Sequence, residues 1–137
     1  MADLSITATA VVPSSSAVKF YAKLGEAANG GQTVYLDSAT NTYKLADGND
    51  STKMPVAGIL CGSGGTGQTV QAVSSDPGLT IGTHGLGLGI PLFQSATAGG
   101  VCPFADISTG NKTTCLMVTN TTTTVSFGII GGVGAHA

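Results

Sequence analysis

The 137-residue chain is predicted to be all-β, a barrel or sandwich of many short strands with an extended N-terminal arm and short helices or none. Three observations predict this. The vocabulary suits strands, with 19 Thr and 11 Val, few Glu and Gln, and no Arg. Period-two alternation recurs along the chain, whereas helical periodicity never persists over three turns. Gly occupies 21 positions and clusters with Ser, Asp and Pro between the alternating runs, as turns require. Leu, Ile, Val and Phe together number 32, just above the roughly 20% below which disorder is expected, so the core should be thin.

Taken in order, residues 2–12 place Leu4, Ile6, Ala8, Ala10 and Val12 on one face and Ser5, Thr7 and Thr9 on the other, which predicts an extended strand. Pro13-Ser14-Ser15-Ser16 breaks it as a flexible joint. Residues 1–16 therefore read as an arm and linker, and 17–137 as a single β domain. Residues 18–24 alternate, with Val18, Phe20 and Leu24 inward and Lys19 and Lys23 outward. Strands at 32–36 and 42–46 bracket Asp37-Ser38-Ala39-Thr40-Asn41 as a hairpin. Further strands are expected at 56–61, 68–73, 79–82, 90–94, 101–104, 114–119 and 125–130. Ser75-Asp76-Pro77-Gly78 reads as a turn between two of them.

An echo runs through the chain. Tyr35-Leu36-Asp37-Ser38-Ala39-Thr40, Ala46-Asp47 and Gly58-Ile59-Leu60 are followed in the same order by Leu92-Phe93-Gln94-Ser95-Ala96-Thr97, Ala105-Asp106 and Gly128-Ile129-Ile130. This suggests two related hairpin modules, at about 31–61 and 90–131. A second echo pairs Gly31-Gln32-Thr33-Val34 with Gly67-Gln68-Thr69-Val70. A solenoid would need more copies.

Composition narrows function. Charged residues make up 9%, the net charge is −2, and the five Lys are dispersed. Nucleic-acid binding needs clustered cations to displace counterions from phosphates, so no nucleic-acid partner is expected. No apolar run reaches the ~20 residues of a spanning helix, and the longest, 79–93, is broken by glycines, His84 and Pro91. The first residues lack the basic and apolar regions of a signal peptide, so synthesis in a cytoplasm without a membrane partner is expected. Cys61, Cys102 and Cys115 cannot all pair within one chain and read as reduced, mostly buried thiols.

Candidate chemistry is sparse. Most carboxylates (Asp37, Asp47, Asp50, Asp76) sit in turn contexts, where Asp bonds the nearby backbone. The segment 47–50 lacks the alternating ligands and terminal Glu of a calcium loop. His84 and His136 lack any accompanying nucleophile motif and read as packed or solvated. Gly85-Leu86-Gly87-Leu88-Gly89 superficially suggests a phosphate loop but runs into a strand rather than a helix. No cofactor, no metal site and no catalytic residue is expected, and the chain reads as a non-enzyme. A thin core and sparse charge suit a protein covered by partners, and an uncharged arm can add a strand to another sheet.

The pattern Gly31-Gln32-Thr33-Val34-Tyr35-Leu36-Asp37-Ser38-Ala39-Thr40, with Tyr43-Lys44-Leu45-Ala46-Asp47 and Pro55-Val56-Ala57-Gly58-Ile59-Leu60, resembles capsid decoration (cement) proteins of tailed bacteriophages. Pro91-Leu92-Phe93-Gln94-Ser95-Ala96-Thr97-Ala98-Gly99-Gly100, followed by Pro103-Phe104-Ala105-Asp106, is similar to the second half of that family. The resemblance spans most of 2–134 and is weakest at 62–83. It implies a small β-barrel or β-tulip-like domain, a homotrimer at threefold or quasi-threefold positions of an expanded head, on the virion surface, bridging copies of the major capsid protein. The arm residues Leu4, Ile6, Val11 and Val12 are then the expected capsid contacts, and Leu86 and Leu88 the expected oligomer contacts. The competing expectation is a tail- or fibre-associated virion protein or a carbohydrate-binding β module. Only 5% aromatic residues and no Trp weigh against stacking on sugars.

Overall fold

The computed structural model describes residues 3–107 and 112–135, with side chains described except those of 112, 113 and 130–135. Among the described residues nine strands form one antiparallel sheet: β1 Val18–Lys23, β2 Thr33–Asp37, β3 Thr42–Leu45, β4 Gly58–Leu60, β5 Thr69–Thr80, β6 Pro91–Gln94, β7 Val101–Pro103, β8 Lys112–Thr119 and β9 Thr124–Ala135. Helical structure among the described residues is confined to 3-10 turns at Ala8–Ala10, Ser51–Lys53 and Phe104–Asp106. The fold is all-β and barrel-like.

The sheet runs β3-β2-β4-β5-β9-β8-β6-β7, with β1 on β5. The order is palindromic in kind. β2 lies between its hairpin partner β3 and β4, which pairs with β5. β6 lies between its hairpin partner β7 and β8, which pairs with β9. β5 and β9 join the halves. The repeated Ser-Ala-Thr follows β2 in one half and closes the end of β6 in the other. Gly58-Ile59-Leu60, by contrast, forms β4 while Gly128-Ile129-Ile130 lies in β9, a strand with a different place in the pattern.

The first half closes into a ring. β1 pairs with β5 through Lys23–Thr69, Ala22–Val70, Tyr21–Gln71 and Phe20–Ala72, and then meets β3 at a parallel bridge between Leu24 and Tyr43. Opposed residues share a face. Ala22, Leu24, Val34, Leu60, Val70 and Ala72 thus fill a small interior, closed by Phe20, Tyr43 and Leu45. The Phe20 and Tyr43 rings touch with centroids 5.4 Å apart. The other face of the same strands contributes Tyr35, Ile59 and Val73 to a larger core with Leu79, Leu92, Leu116, Val125 and Phe127.

The second echo marks a local twofold in this ring. Gly31 and Gly67 have φ of 86° and 85°, a conformation that glycine adopts without strain. The next residue closes each turn: Gln32 Oε1 accepts from Asn29 N at 2.7 Å, and Gln68 Oε1 from Gly65 N at 2.6 Å. Leu24 N donates to Gln68 O at 2.8 Å while Leu60 N donates to Gln32 O at 3.0 Å. Two matching strand–turn–strand segments interlock, each capping the other.

Three sequence expectations change. Of the strand expected at 2–12, the described residues 3–12 form none: Ala8–Ala10 is a 3-10 turn, and only Val12 bridges, to Thr80. The run touches the sheet near its two ends, through a single bond from Leu4 N to Val101 O and the Val12 bridge, and its middle turns instead. The strands expected at 68–73 and 79–82 are one strand, β5, and 75–78 is an irregularity within it rather than a turn. Val18, expected inward, is exposed at the start of the edge strand.

Candidate functional site

Three surface features could engage a ligand or partner. The first is the bed of the N-terminal segment. Leu4 N donates to Val101 O at 2.7 Å, Asp3 Oδ1 accepts from Ser95 Oγ at 2.5 Å, and Val12 and Thr80 exchange two backbone bonds at 3.0 Å. The bed needs small residues: a Cβ on Gly30 would lie 2.6 Å from Ala8 O, and one on Gly31 2.6 Å from Ile6 Cγ2. An open cleft of about 320 Å³ remains between this segment, the 29–32 turn and the 97–101 loop.

The base of the segment is held by Asp76. Its carboxylate is fully buried and accepts from Ser14 Oγ, from Ser14 N at 2.7 Å and from Gly78 N at 3.0 Å. Burial alone would raise its pKa, but the bonds from Ser14 and Gly78, with the charge of Lys19, outweigh it and hold the carboxyl below its ordinary value. Local spacing had suggested only a turn Asp, because the partner is 62 residues away.

Of the expected capsid contacts, Leu4 and Ile6 are half-buried against the large core and Val11 is buried within it. Val12 is 54% exposed. Of the expected oligomer contacts, Leu86 packs on the core and Leu88 is 64% exposed. Leu88 sits in a loop bent at Gly85 and Gly89, both with positive φ. His84 is buried with both ring nitrogens engaged. Nδ1 accepts from Leu86 N at 3.1 Å, so Nε2 carries the proton and donates to Thr121 O at 2.6 Å. His136 lies outside the described residues.

The second feature is the outer face of the β6–β7–β8 wing. Pro91 lies opposite Val118, and Phe93 opposite Cys115. The Phe93 ring meets Phe104 edge-on with centroids 5.5 Å apart. Phe104 is 49% exposed and Val118 38%. No charged side chain belongs to this set. The inner face is different: Gln94, fully buried, accepts from Thr33 Oγ1 and donates to Ala46 O at 3.1 Å, tying the wing to the ring.

The third feature is the edge of β1. Lys19, Tyr21 and Lys23 share the exposed face, and Tyr21 is 72% exposed. The salt bridge found among the described residues joins Lys44 to Asp37 at 2.9 Å, so neither β1 lysine is in one there. Sequence reasoning placed both Lys outward but assigned them no role; the signal for a site is the open backbone edge, which alternation alone does not show.

Burial raises all three thiols, Cys61 and Cys102 to about 11, so none is an activated nucleophile. Among the described residues no three His, Cys, Asp or Glu side chains converge to hold a metal, and no helix is long and apolar enough to cross a membrane. In comparisons with known proteins, no family model, no curated protein and no solved structure matches the chain.

Proposed function

We propose that the chain is a structural virion protein, a capsid decoration protein that binds the outside of an expanded phage head as a homotrimer and bridges copies of the major capsid protein. The observation that carries this reading is the uncharged outer face of Pro91, Phe93, Phe104 and Val118, in a chain with only 9% charged residues. Contiguous apolar surface with no charge favours burial against another protein. The resemblance over 31–60 and 91–106 supplies the identity of that protein. The N-terminal segment contributes Val12 in the observed arrangement; Leu4, Ile6 and Val11 would contribute only after leaving their bed.

The action is physical. A subunit that binds the expanded shell and not its precursor stabilises the expanded state by mass action. Joining three subunits raises the effective concentration of each contact. The test is the copy number of this chain in purified virions relative to the major capsid protein. A simple lattice ratio supports decoration. A few copies per particle would move the chain to the tail or a vertex, and absence would overturn the reading.

A further inference from the structure

We propose that the open edge of β1 is a docking site for an extended acidic segment of another protein, which adds a strand beside Lys19 and Tyr21. The inference goes beyond the decoration reading and does not depend on it. Leu24 donates its N–H to Gln68 O, toward β5, whereas Gly25 donates in the opposite direction, to Tyr43 O. Backbone groups alternate in direction along a strand. Phe20 and Ala22 therefore bond β5, and the backbone groups of Lys19, Tyr21 and Lys23 point away from it.

β3 closes only the far end of this edge. Its contact is a parallel bridge at Leu24–Tyr43, so residues preceding Lys23 run past Thr42, where β3 begins. Among the described residues, β1 has no other strand partner than β5 along 18–23. Lys19 and Tyr21 thus offer unpaired N–H and C=O groups, the template for strand addition.

Charge selects the occupant. Lys19 and Lys23 flank Tyr21 on one face and take part in no salt bridge among the described residues. The neighbouring carboxylates are committed: Asp76 to Ser14, Asp37 to Lys44, and Glu26, at the closed end, to Leu45 N at 2.9 Å. A second copy laid antiparallel over the whole strand would set Lys19 of one copy against Lys23 of the other, which is unfavourable. A neutral strand would leave both lysines without a salt-bridge partner. Alternating Glu or Asp on the incoming strand meets both, and the exposed Tyr21 ring supplies apolar contact between them.

The test uses the intact chain and a short synthetic peptide alternating Glu with Val and Thr, with binding followed through backbone amide shifts in NMR titrations. The expected result is saturable shifts centred on 18–23 and affinity about tenfold weaker in a Lys19→Glu/Lys23→Glu variant. A peptide with Lys in place of Glu should bind that variant and not the parent. N-methylation of the Glu-peptide amides on its bonding edge should abolish binding. Both lysines are exposed, and an unchanged amide spectrum away from β1 checks that the variant is folded. The proposal is overturned if the acidic peptide leaves the β1 amides unmoved, or binds the charge-reversed variant equally. It is also overturned if Lys19→Thr/Lys23→Thr self-associates while the parent ignores the peptide, because the lysines then only guard the edge.

Discussion

The two halves of the sheet share one pairing pattern and differ in what lies behind it. In the first half, β1 and the interlocked turns at 29–32 and 65–68 close a ring, so Val34, Leu60, Val70 and Ala72 acquire an interior of their own. In the second half no strand occupies the place of β1 among the described residues, and Phe93 and Val118 stay on the surface. The same strand order thus makes a two-sided wall in one half and a one-sided wall in the other. Apolar residues on an outer face belong to a core only where another element covers them.

The largest expected effect tests the ring. Leu60→Ala removes a fully buried side chain between β1, β2 and β5, and should cost about 3 kcal/mol in chemical denaturation. Val118→Ala, on the wing's outer face, should stay within about 0.5 kcal/mol. Equal costs would mean that the wing face is covered in the free chain and would remove the contrast.

Next comes the clamp that fastens the N-terminal segment to β5. Asp76→Asn replaces the carboxylate that accepts from Ser14 and Gly78, and should cost about 2 kcal/mol. The folded pKa of Asp76 lies below its ordinary value of 3.8. Its stabilisation is therefore present above that value and is lost as pH falls through the folded pKa, because the unfolded chain takes up the proton first. The parent's stability to urea should fall below pH 3.8, and the Asn variant should lose this part of the slope.

A smaller change probes the bed alone. Gly30→Ala would bring a Cβ within 2.6 Å of Ala8 O, which must shift. A cost of about 1 kcal/mol and faster protease cleavage within 4–12, with the ring intact, is expected. Unchanged cleavage would show that the segment is not held there.

The smallest effect is chemical. Cys61 and Cys102, with pKa values pushed up to about 11, should react slowly with iodoacetamide at pH 8 when folded and quickly in urea. Cys115, half-exposed on the wing, should become slower still when a partner covers that face.

Much of the fold was legible in the residues. The hairpin at Thr33–Asp37 and Thr42–Leu45 follows from an apolar run, a polar turn and a second run within a dozen positions. The Gly-Gln-Thr-Val echo marks two turns of the same geometry, because each needs a positive-φ glycine and a Gln that closes on its own turn. His84 reads from sequence as packed or solvated alike; only its partners Leu86 and Thr121, which the sequence does not show, make it packed. The candidate sites were much less visible. The β1 lysines show as outward-facing, but an open edge depends on where β3 begins.

Local chemistry along the chain determined the class of fold, most turns and most strands, because alternation and glycine act within a few residues. Tertiary structure alone decided that Asp76 is a buried clamp instead of a turn residue, that Leu4, Ile6 and Val11 lie against their own domain, and that one half closes while the other stays open. Each of these depends on contacts between segments dozens of residues apart, such as Ser14 with Asp76 or Thr33 with Gln94. A carboxylate or an apolar side chain carries no mark of whether a distant segment will arrive to cover it.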